Sequence, residues 1–280
     1  MNILQKEMHE LCIYATIVLY IGGLVMKIGF IGFGNIAQAM ASGLLEQNPS
    51  INQKMFASSF NYEKLLKNTT TYGITACKNN QETVDNSDLI FICVKPYQVK
   101  DVLQQLELNN KIIVSLVGGM YSKDYDEIIP NTTHISCIPN TAISVSEGVI
   151  VVEQTHTLTN EQLIIVENLL SSIAMLEYIE TSKMSIATTI SGCTPAYTAM
   201  YLEALGDAAC KYGLTREVGY RLVSKMLEGT GKMARVSKKH PGQLKDEVCS
   251  PKGTTIKGIA SLEKDGFRGT IINAIDEVMK

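Results

Sequence analysis

The chain has 280 residues, 45% of them hydrophobic and 19% charged, with a formal net charge of −3. That is enough for one large domain or two of moderate size, and it provides no basic field to recruit nucleic acid or an anionic membrane. Tryptophan is absent and aromatics are 6%, so stacking platforms for single strands are missing, while seven cysteines without a C-x-x-C pair and four scattered histidines offer neither a metal site nor a disulfide framework.

Residues 1–25 stand apart. Leu11 to Val25 is an apolar run of 15 residues, short for a membrane span. Glu7 and Glu10 beside Lys6 deny it the positive flank of a signal peptide. The expectation is an extension outside the fold, with Met26 as the functional start and no loss of activity when 1–25 are deleted; a membrane anchor is the alternative. The cysteines read as small buried hydrophobes in a reducing compartment, which points to the cytoplasm.

Lys27 to Ile31 is short and apolar, as a buried strand would be. The turn Ile31-Gly32-Phe33-Gly34-Asn35-Ile36-Ala37 follows, and then Ala37, Met40, Ala41, Leu44 and Leu45 recur at helical spacing. Strand, glycine turn and helix are the setting in which G-x-G-x-x-A binds a dinucleotide. Gly32 permits the turn, Gly34 lets a pyrophosphate approach the backbone, and Ala37 lets the helix pack close. The helix then aims its unpaired N–H groups and positive dipole end at the phosphates. The plain alternative is a ligand-free βα turn.

Further strands are expected at Lys54–Ser58, Asp88–Val94, Lys111–Ser115, His134–Ile138, Gly148–Glu153 and near Met175–Tyr178, with helices over Asn61–Thr70 and Asn160–Ser171. The apolar runs suit a parallel sheet covered on both faces, with ligands outside the carboxyl ends of the strands. Those ends carry Ser58-Ser59, Val94-Lys95-Pro96 and Leu116-Val117-Gly118. No acid stands at the end of the second strand to hold ribose hydroxyls. Ser58, Ser59, Asn61 and Lys64 would accept a 2′-phosphate, or serve as helix caps. NADPH is therefore preferred, with NADH also admitted, and a carboxylate at Ser58 should reverse the preference.

From Thr181 the chain is rich in Ala, Leu and Met at helical spacing. Pro195 opens a long helix toward Lys211, Gly213 stops it, and Thr215 caps the next. A polar loop is expected over 238–254, then two short helices. The fold class is α/β: an N-terminal Rossmann-type domain over 26–181 and an all-helical domain over 182–280, whose long apolar face suggests burial against another subunit.

The stretch His240-Pro241-Gly242-Gln243-Leu244-Lys245-Asp246 through Ser250-Pro251-Lys252-Gly253-Thr254-Thr255 resembles the signature of the pyrroline-5-carboxylate reductases. So do Ser191-Gly192-Cys193-Thr194-Pro195-Ala196-Tyr197, Val94-Lys95-Pro96, Pro139-Asn140-Thr141 and Gly266-Phe267-Arg268, and the likeness runs from Met26 to the C-terminus. The resemblance implies reduction of 1-pyrroline-5-carboxylate to L-proline with NAD(P)H in a homodimer or higher homo-oligomer. It implies cofactor contacts from Ile31 to Ile36, from Ser58 and Ser59, from Asn80 before the next helix, from Cys93, Val94, Lys95 and Pro96, and from Leu116, Val117 and Gly118. It places Gly253, Thr254 and Thr255 on the substrate carboxylate, Thr188 beside the ring nitrogen and Ser191 in the same motif. By itself, Gly253-Thr254-Thr255 reads as ordinary N-capping by a threonine.

Departures from the family pattern are Cys193-Thr194 for the usual Ser-Gly, Ala142 for proline and Lys252 for glycine. They keep two other readings open. One is a non-catalytic, nucleotide-binding paralogue. The other is a β-hydroxyacid dehydrogenase-like oxidoreductase, for which Lys183 and Lys211 are the candidate lysines.

Overall fold

The computed structural model describes residues 26–280, with the backbone of 20–21 and 24–25, which pair as a short antiparallel ladder. The expectations for residues 1–25 otherwise lie outside the described residues. The chain divides into two compact units, Met1–Gly192 and Cys193–Lys280. Among the described residues no helix is long and apolar enough to cross a membrane.

The first unit is built on eight strands: β1 (Ile28–Ile31), β2 (Met55–Ser58), β3 (Thr75–Ala76), β4 (Leu89–Ile92), β5 (Ile112–Ser115), β6 (Thr133–Pro139), β7 (Gly148–Glu153) and β8 (Ala174–Ile179). They lie in the order β8-β7-β6-β5-β4-β1-β2-β3. Neighbours run parallel except β6 and β7, which are antiparallel. The order reverses at β1, with β4 on one side and β2 on the other, which is where such sheets open a ligand crevice. Ile31 lies opposite both Ser58 and Ile92, and Ile92 opposite Ser115. Four strands therefore end in one row, and their loops leave the sheet at the same level.

Every residue of β1, β4 and β5 is buried. Helices cover both faces. On one, α1 (Asn35–Gln47) sets Ala37, Met40, Ala41 and Leu44 against Phe30, Phe91 and Val114. On the other, Val84, Val99, Leu103 and Tyr125 pack on Ile31, Ile90, Ile92 and Ile113. They come from α3 (Asn80–Asp85), α4 (Val99–Leu103) and α5 (Ser122–Ile128). Burying each of the Val, Leu, Ile, Phe and Met side chains among these contributes about 1.5–3 kcal/mol. Among the described residues the remaining α-helices of this unit are α2 (Tyr62–Tyr72), α6 (Asn160–Ser171) and α7 (Met184–Thr188).

The sequence places the domain change at 181/182, where composition shifts. The packing division falls later, at 192/193. Residues 181–191 hold to the sheet: the Thr181 hydroxyl donates to Glu153 Oε1 at 2.5 Å and Met184 is fully buried.

The second unit holds α8 (Thr194–Lys211), α9 (Arg216–Ser237), α10 (Pro241–Glu247), α11 (Thr254–Lys264) and α12 (Phe267–Met279). Pro195 stands in the first turn of α8, Gly213 has φ of +92°, and the Thr215 side chain caps α9 by accepting from Val218 N. Glycines at 206 and 219 let α8 and α9 approach antiparallel, against Tyr220 and Ala209. Only Gly206, Gly219 and Val223 are buried in this unit, so it has almost no core of its own, while Met200, Leu222, Met233 and Ile272 stand exposed.

Three elements differ from expectation. β3 has two residues and no apolar run to announce it. α10 interrupts the expected 238–254 loop; its helical signal is Pro241 in the first turn rather than an apolar stripe. Asn80 is the first residue of α3 and not the one before it: Asn79 is the cap, accepting from Glu82 N at 2.9 Å.

Candidate active site

The glycine turn joins β1 to α1. Gly32 has φ of +86°, and a Cβ there would stand 2.9 Å from the Cys93 carbonyl oxygen, so only glycine fits. Gly34 is the N-cap of α1 and is extended; nothing lies within 4 Å of where its Cβ would be. No side chain caps α1, and no acid occupies its first turn. Its N-terminal N–H groups and dipole are left to an anion. The side chains of Ile31 and Phe33 are in the core, whereas Asn35 is exposed and Ile36 half-buried.

At the end of β2 the two serines part company. Ser58 is buried and its hydroxyl donates to Asn80 Oδ1 at 2.8 Å. Ser59 is half-buried and follows at the mouth of the crevice. This corrects the choice of Ser58 as the place to test cofactor preference: a carboxylate there would first break a buried hydrogen bond. Asn61 caps α2 by accepting from Lys64 N at 2.9 Å, and Lys64 itself is exposed. Glu63, the first acid after β2, lies in the first turn of α2, where the helix dipole favours it.

The β4 end offers Cys93 and Val94, half-buried, and Lys95 and Pro96, exposed. Burial pushes the Cys93 thiol well up, so it is a neutral lining group and no nucleophile. After β5, Leu116 and Val117 point into the core and only Gly118 is exposed. That loop is set from beneath: Ser115 Oγ accepts from Val117 N at 3.1 Å and shares a 2.5 Å bond with the buried Tyr125 hydroxyl. The structure thus brings the turn residues, Ser59, Val94 to Pro96 and Gly118 to one edge of the sheet.

Thr188 ends α7, and a π-helical turn over Thr189–Cys193 follows. π turns inside helices are rare and recur at functional sites. Thr188 is not a helix cap. Its hydroxyl donates back to Met184 O at 2.8 Å and Ser185 O at 3.0 Å, and the Ser191 hydroxyl donates to Ala187 O at 3.0 Å. Both hydroxyl protons are engaged, so toward a ligand both oxygens act as acceptors. Sequence reasoning missed the partner of this turn. Pro195 has no N–H for the carbonyl four residues before it, and that carbonyl, Ser191 O, accepts from Asn140 Nδ2 at 3.1 Å. The proline was the available signal.

In the second unit Gly253, not a threonine, caps α11, and no side-chain bond closes that terminus. Thr254 and Thr255 are exposed first-turn residues with no acid beside them. The capping alternative therefore does not hold, and the α11 N–H groups are left to an anion. Lys252 adopts φ of +61° where the family pattern has glycine. A left-handed non-glycine residue costs about 1–2 kcal/mol, of which the greater chain entropy of unfolded glycine returns about 0.4–1. Lys252→Gly is expected to raise stability by up to about 1 kcal/mol, read as a higher urea midpoint; a lower midpoint would show that the lysine makes a compensating contact.

The candidate lysines are otherwise engaged: Lys183 pairs with Glu180 at 3.0 Å and Lys211 lies over the Tyr212 ring at 5.7 Å. Lys245–Asp246 and Lys239–Glu247 are exposed ion pairs, worth little each. Among the described residues no group of three His, Cys, Asp or Glu side chains could hold a metal ion.

Comparison with known proteins bears on both units. The family profile described as pyrroline-5-carboxylate reductase dimerisation matches residues 181–280, and one described as NADP oxidoreductase, coenzyme F420-dependent, matches 27–119. The chain is 39% identical over 256 residues to a pyrroline-5-carboxylate reductase of Treponema pallidum (strain Nichols), covering 89% of this chain and 97% of that one. It is 34% identical over 251 residues to the pyrroline-5-carboxylate reductase of Pisum sativum, covering 89% and 92%. A crystal structure of Plasmodium falciparum pyrroline carboxylate reductase with NADP bound superposes with a TM-score of 0.81 at 30% identity, covering 90% of this chain and 95% of that one.

Proposed function

The chain belongs to the pyrroline-5-carboxylate reductase family, and we infer that it reduces 1-pyrroline-5-carboxylate to L-proline with NADPH, the last step of proline biosynthesis. The observation that carries this reading is a pair of helix N-termini, on α1 and α11, that no side chain caps and no acid occupies, each falling on a motif of the family. One suits a pyrophosphate and the other a carboxylate.

The residues fit a phosphorylated dinucleotide. Open space at Gly34 leaves the α1 N-terminus to the pyrophosphate, and the β2 end presents Ser59, Asn61 and Lys64 where an acid would repel a 2′-phosphate. Val94 to Pro96 and Gly118 supply the adjoining walls. When bound, the dihydronicotinamide supplies a hydride for the carbon of the protonated C=N bond, whose π pair passes to the nitrogen. The protein contributes orientation and electrostatics. Thr254, Thr255 and the α11 N–H groups hold the carboxylate. Thr188 Oγ1, its own proton committed to Met184 O, accepts the N–H of the ring nitrogen. The substrate must therefore arrive as the protonated imine, which is already electrophilic and needs no covalent nucleophile.

A homodimer completes this reading. The helical unit buries almost nothing by itself, and its exposed Leu222, Met226 and Met233 suit a second copy of the same surface. We place the enzyme in the cytoplasm, where the free thiols Cys77 and Cys137 would stay reduced.

Purified protein should oxidise NADPH on addition of 1-pyrroline-5-carboxylate and form proline in equal amount; no turnover with either NADPH or NADH would sink the assignment. Thr255→Ala separates binding from chemistry. A hydrogen bond to a carboxylate is worth about 1.5–3 kcal/mol and is made in ground and transition states alike, so the loss should appear as a roughly 10- to 100-fold rise in KM with kcat little changed. A fall in kcat at constant KM would move Thr255 to another role.

A further inference from the structure

We propose that Asn140 is a positioning residue for the reduction: its side-chain amide fixes the π turn that carries Ser191 and follows directly on Thr188. This rests on the placement of Thr188 beside the ring nitrogen.

Asn140 follows Pro139 at the end of β6 and is tied on every side. Its backbone N–H donates to Val149 O at 3.0 Å, and its Oδ1 accepts from Val149 N at 3.2 Å. That leaves Nδ2 for the Ser191 carbonyl, at 3.1 Å. The two partners settle the amide's orientation, because Val149 N needs an acceptor and Ser191 O needs a donor. The turn that follows, Thr141–Val145, is clamped on α1. A Cβ on Gly43 would lie 2.1 Å from Ile143 O, and the Ser42 hydroxyl donates to Ser144 O at 3.3 Å. The Asn140 amide is thus mounted on the antiparallel β6–β7 corner and on the helix that receives the dinucleotide.

What it holds needs holding. A π turn departs from the ordinary helical ladder, and the Pro195 ring denies Ser191 O its usual donor. Without Nδ2 this carbonyl loses its external tether and the turn can relax toward regular helix. Thr188 and Ser191, three residues apart on one side of the helix, would then shift together. A displacement near 1 Å at a reacting group can cost about 100-fold in rate.

Asn140→Asp keeps the size and the acceptor for Val149 N but sets a carboxylate oxygen against Ser191 O. It is measured beside Thr188→Val and the double variant, by steady-state kinetics and by NADPH binding through fluorescence. The expected result is a fall in kcat of about 10-fold or more with the NADPH Kd within about twofold, since the α1 terminus is untouched. The double variant should be little slower than the slower single, because both act on one group.

Wild-type kcat in Asn140→Asp beside a slow Thr188→Val would overturn the proposal and leave the Thr188 placement standing. So would a fall matched by equal loss of NADPH affinity, the mark of general loosening, or effects that multiply fully in the double variant. A slow Asn140→Asp beside a Thr188→Val of wild-type kcat would move the held group to Ser191 and sink the Thr188 placement alone. Should Asn140→Asp fail to fold, Asn140→Ala removes the donor without adding charge and is judged by the same kcat-against-Kd split.

Discussion

Ser59→Asp is expected to turn the cofactor preference over, lowering kcat/KM for NADPH and raising it for NADH until their ratio has moved by about 100-fold or more. Ser59 is half-buried at the carboxyl end of β2, the strand end that meets the adenosine ribose in this kind of sheet. A carboxylate about 4 Å from one phosphate charge is opposed by about 4 kcal/mol at an effective dielectric of 20, and solvent at a half-open position reduces this to about half. Toward NADH the same carboxylate gains hydrogen bonds from the ribose hydroxyls, worth about 1.5–3 kcal/mol. The two contributions act in the same direction on the ratio. Ser59 also leaves the buried Ser58–Asn80 bond alone, so the variant should melt near the parent temperature. An unchanged ratio in a folded variant would show that the 2′-phosphate does not sit there.

What the sequence revealed and what it hid follow from the range of the forces involved. The βα turn was legible because each of its small residues answers a local demand: the φ of Gly32 and the burial of Ala37 depend on neighbours within a few positions. The same holds for Thr215 as the cap of α9 and for Pro195 in the first turn of α8. The sheet strands stood out because burial on both faces demands unbroken apolar runs. By contrast β3 is a two-residue edge strand, supported by its pairing with β2 and not by its own composition. The reversed direction of β7 relative to β6 is set by the turn at Thr141–Val145, which carries no hairpin signature. Ser58 and Ser59 are alike in sequence, and their different exposure follows from where the strand ends: Ser58 is the last residue of β2 and is buried, whereas Ser59 already lies beyond it. The Asn140–Ser191 bond spans 51 positions. Only the missing N–H of Pro195 hinted that such a donor was needed, and nothing local named it.

The same turn supplies the largest expected loss of stability. Gly43 lies in the middle of α1, where alanine would ordinarily gain about 1 kcal/mol in helix propensity. Here the new Cβ would meet Ile143 O at 2.1 Å and Ile173 Cγ2 at 3.2 Å. The obstacle is a backbone carbonyl in a turn whose own amides are engaged: Ser146 N donates to Ile143 O and Glu147 N to Ala142 O, both at 3.2 Å. Neither helix nor turn can yield without breaking these bonds, so Gly43→Ala is expected to cost about 3 kcal/mol, the upper end for overpacking. Gly29→Ala is the proper comparison. Its Cβ would meet Ser87 Oγ at 2.5 Å, which can rotate aside after giving up one bond to Thr83 O, and Ser87 Cβ and Thr83 Cγ2 at 3.0 Å, side-chain contacts that call for a smaller shift than a backbone carbonyl at 2.1 Å. Urea unfolding should rank Gly43→Ala well below Gly29→Ala. Kinetics should separate them further, because displacing the turn also displaces Asn140, so kcat should fall in Gly43→Ala and hold in Gly29→Ala. Equal stabilities would mean that the turn gives way easily, and a turn that yields to one methyl group would be too soft to hold Asn140 in place.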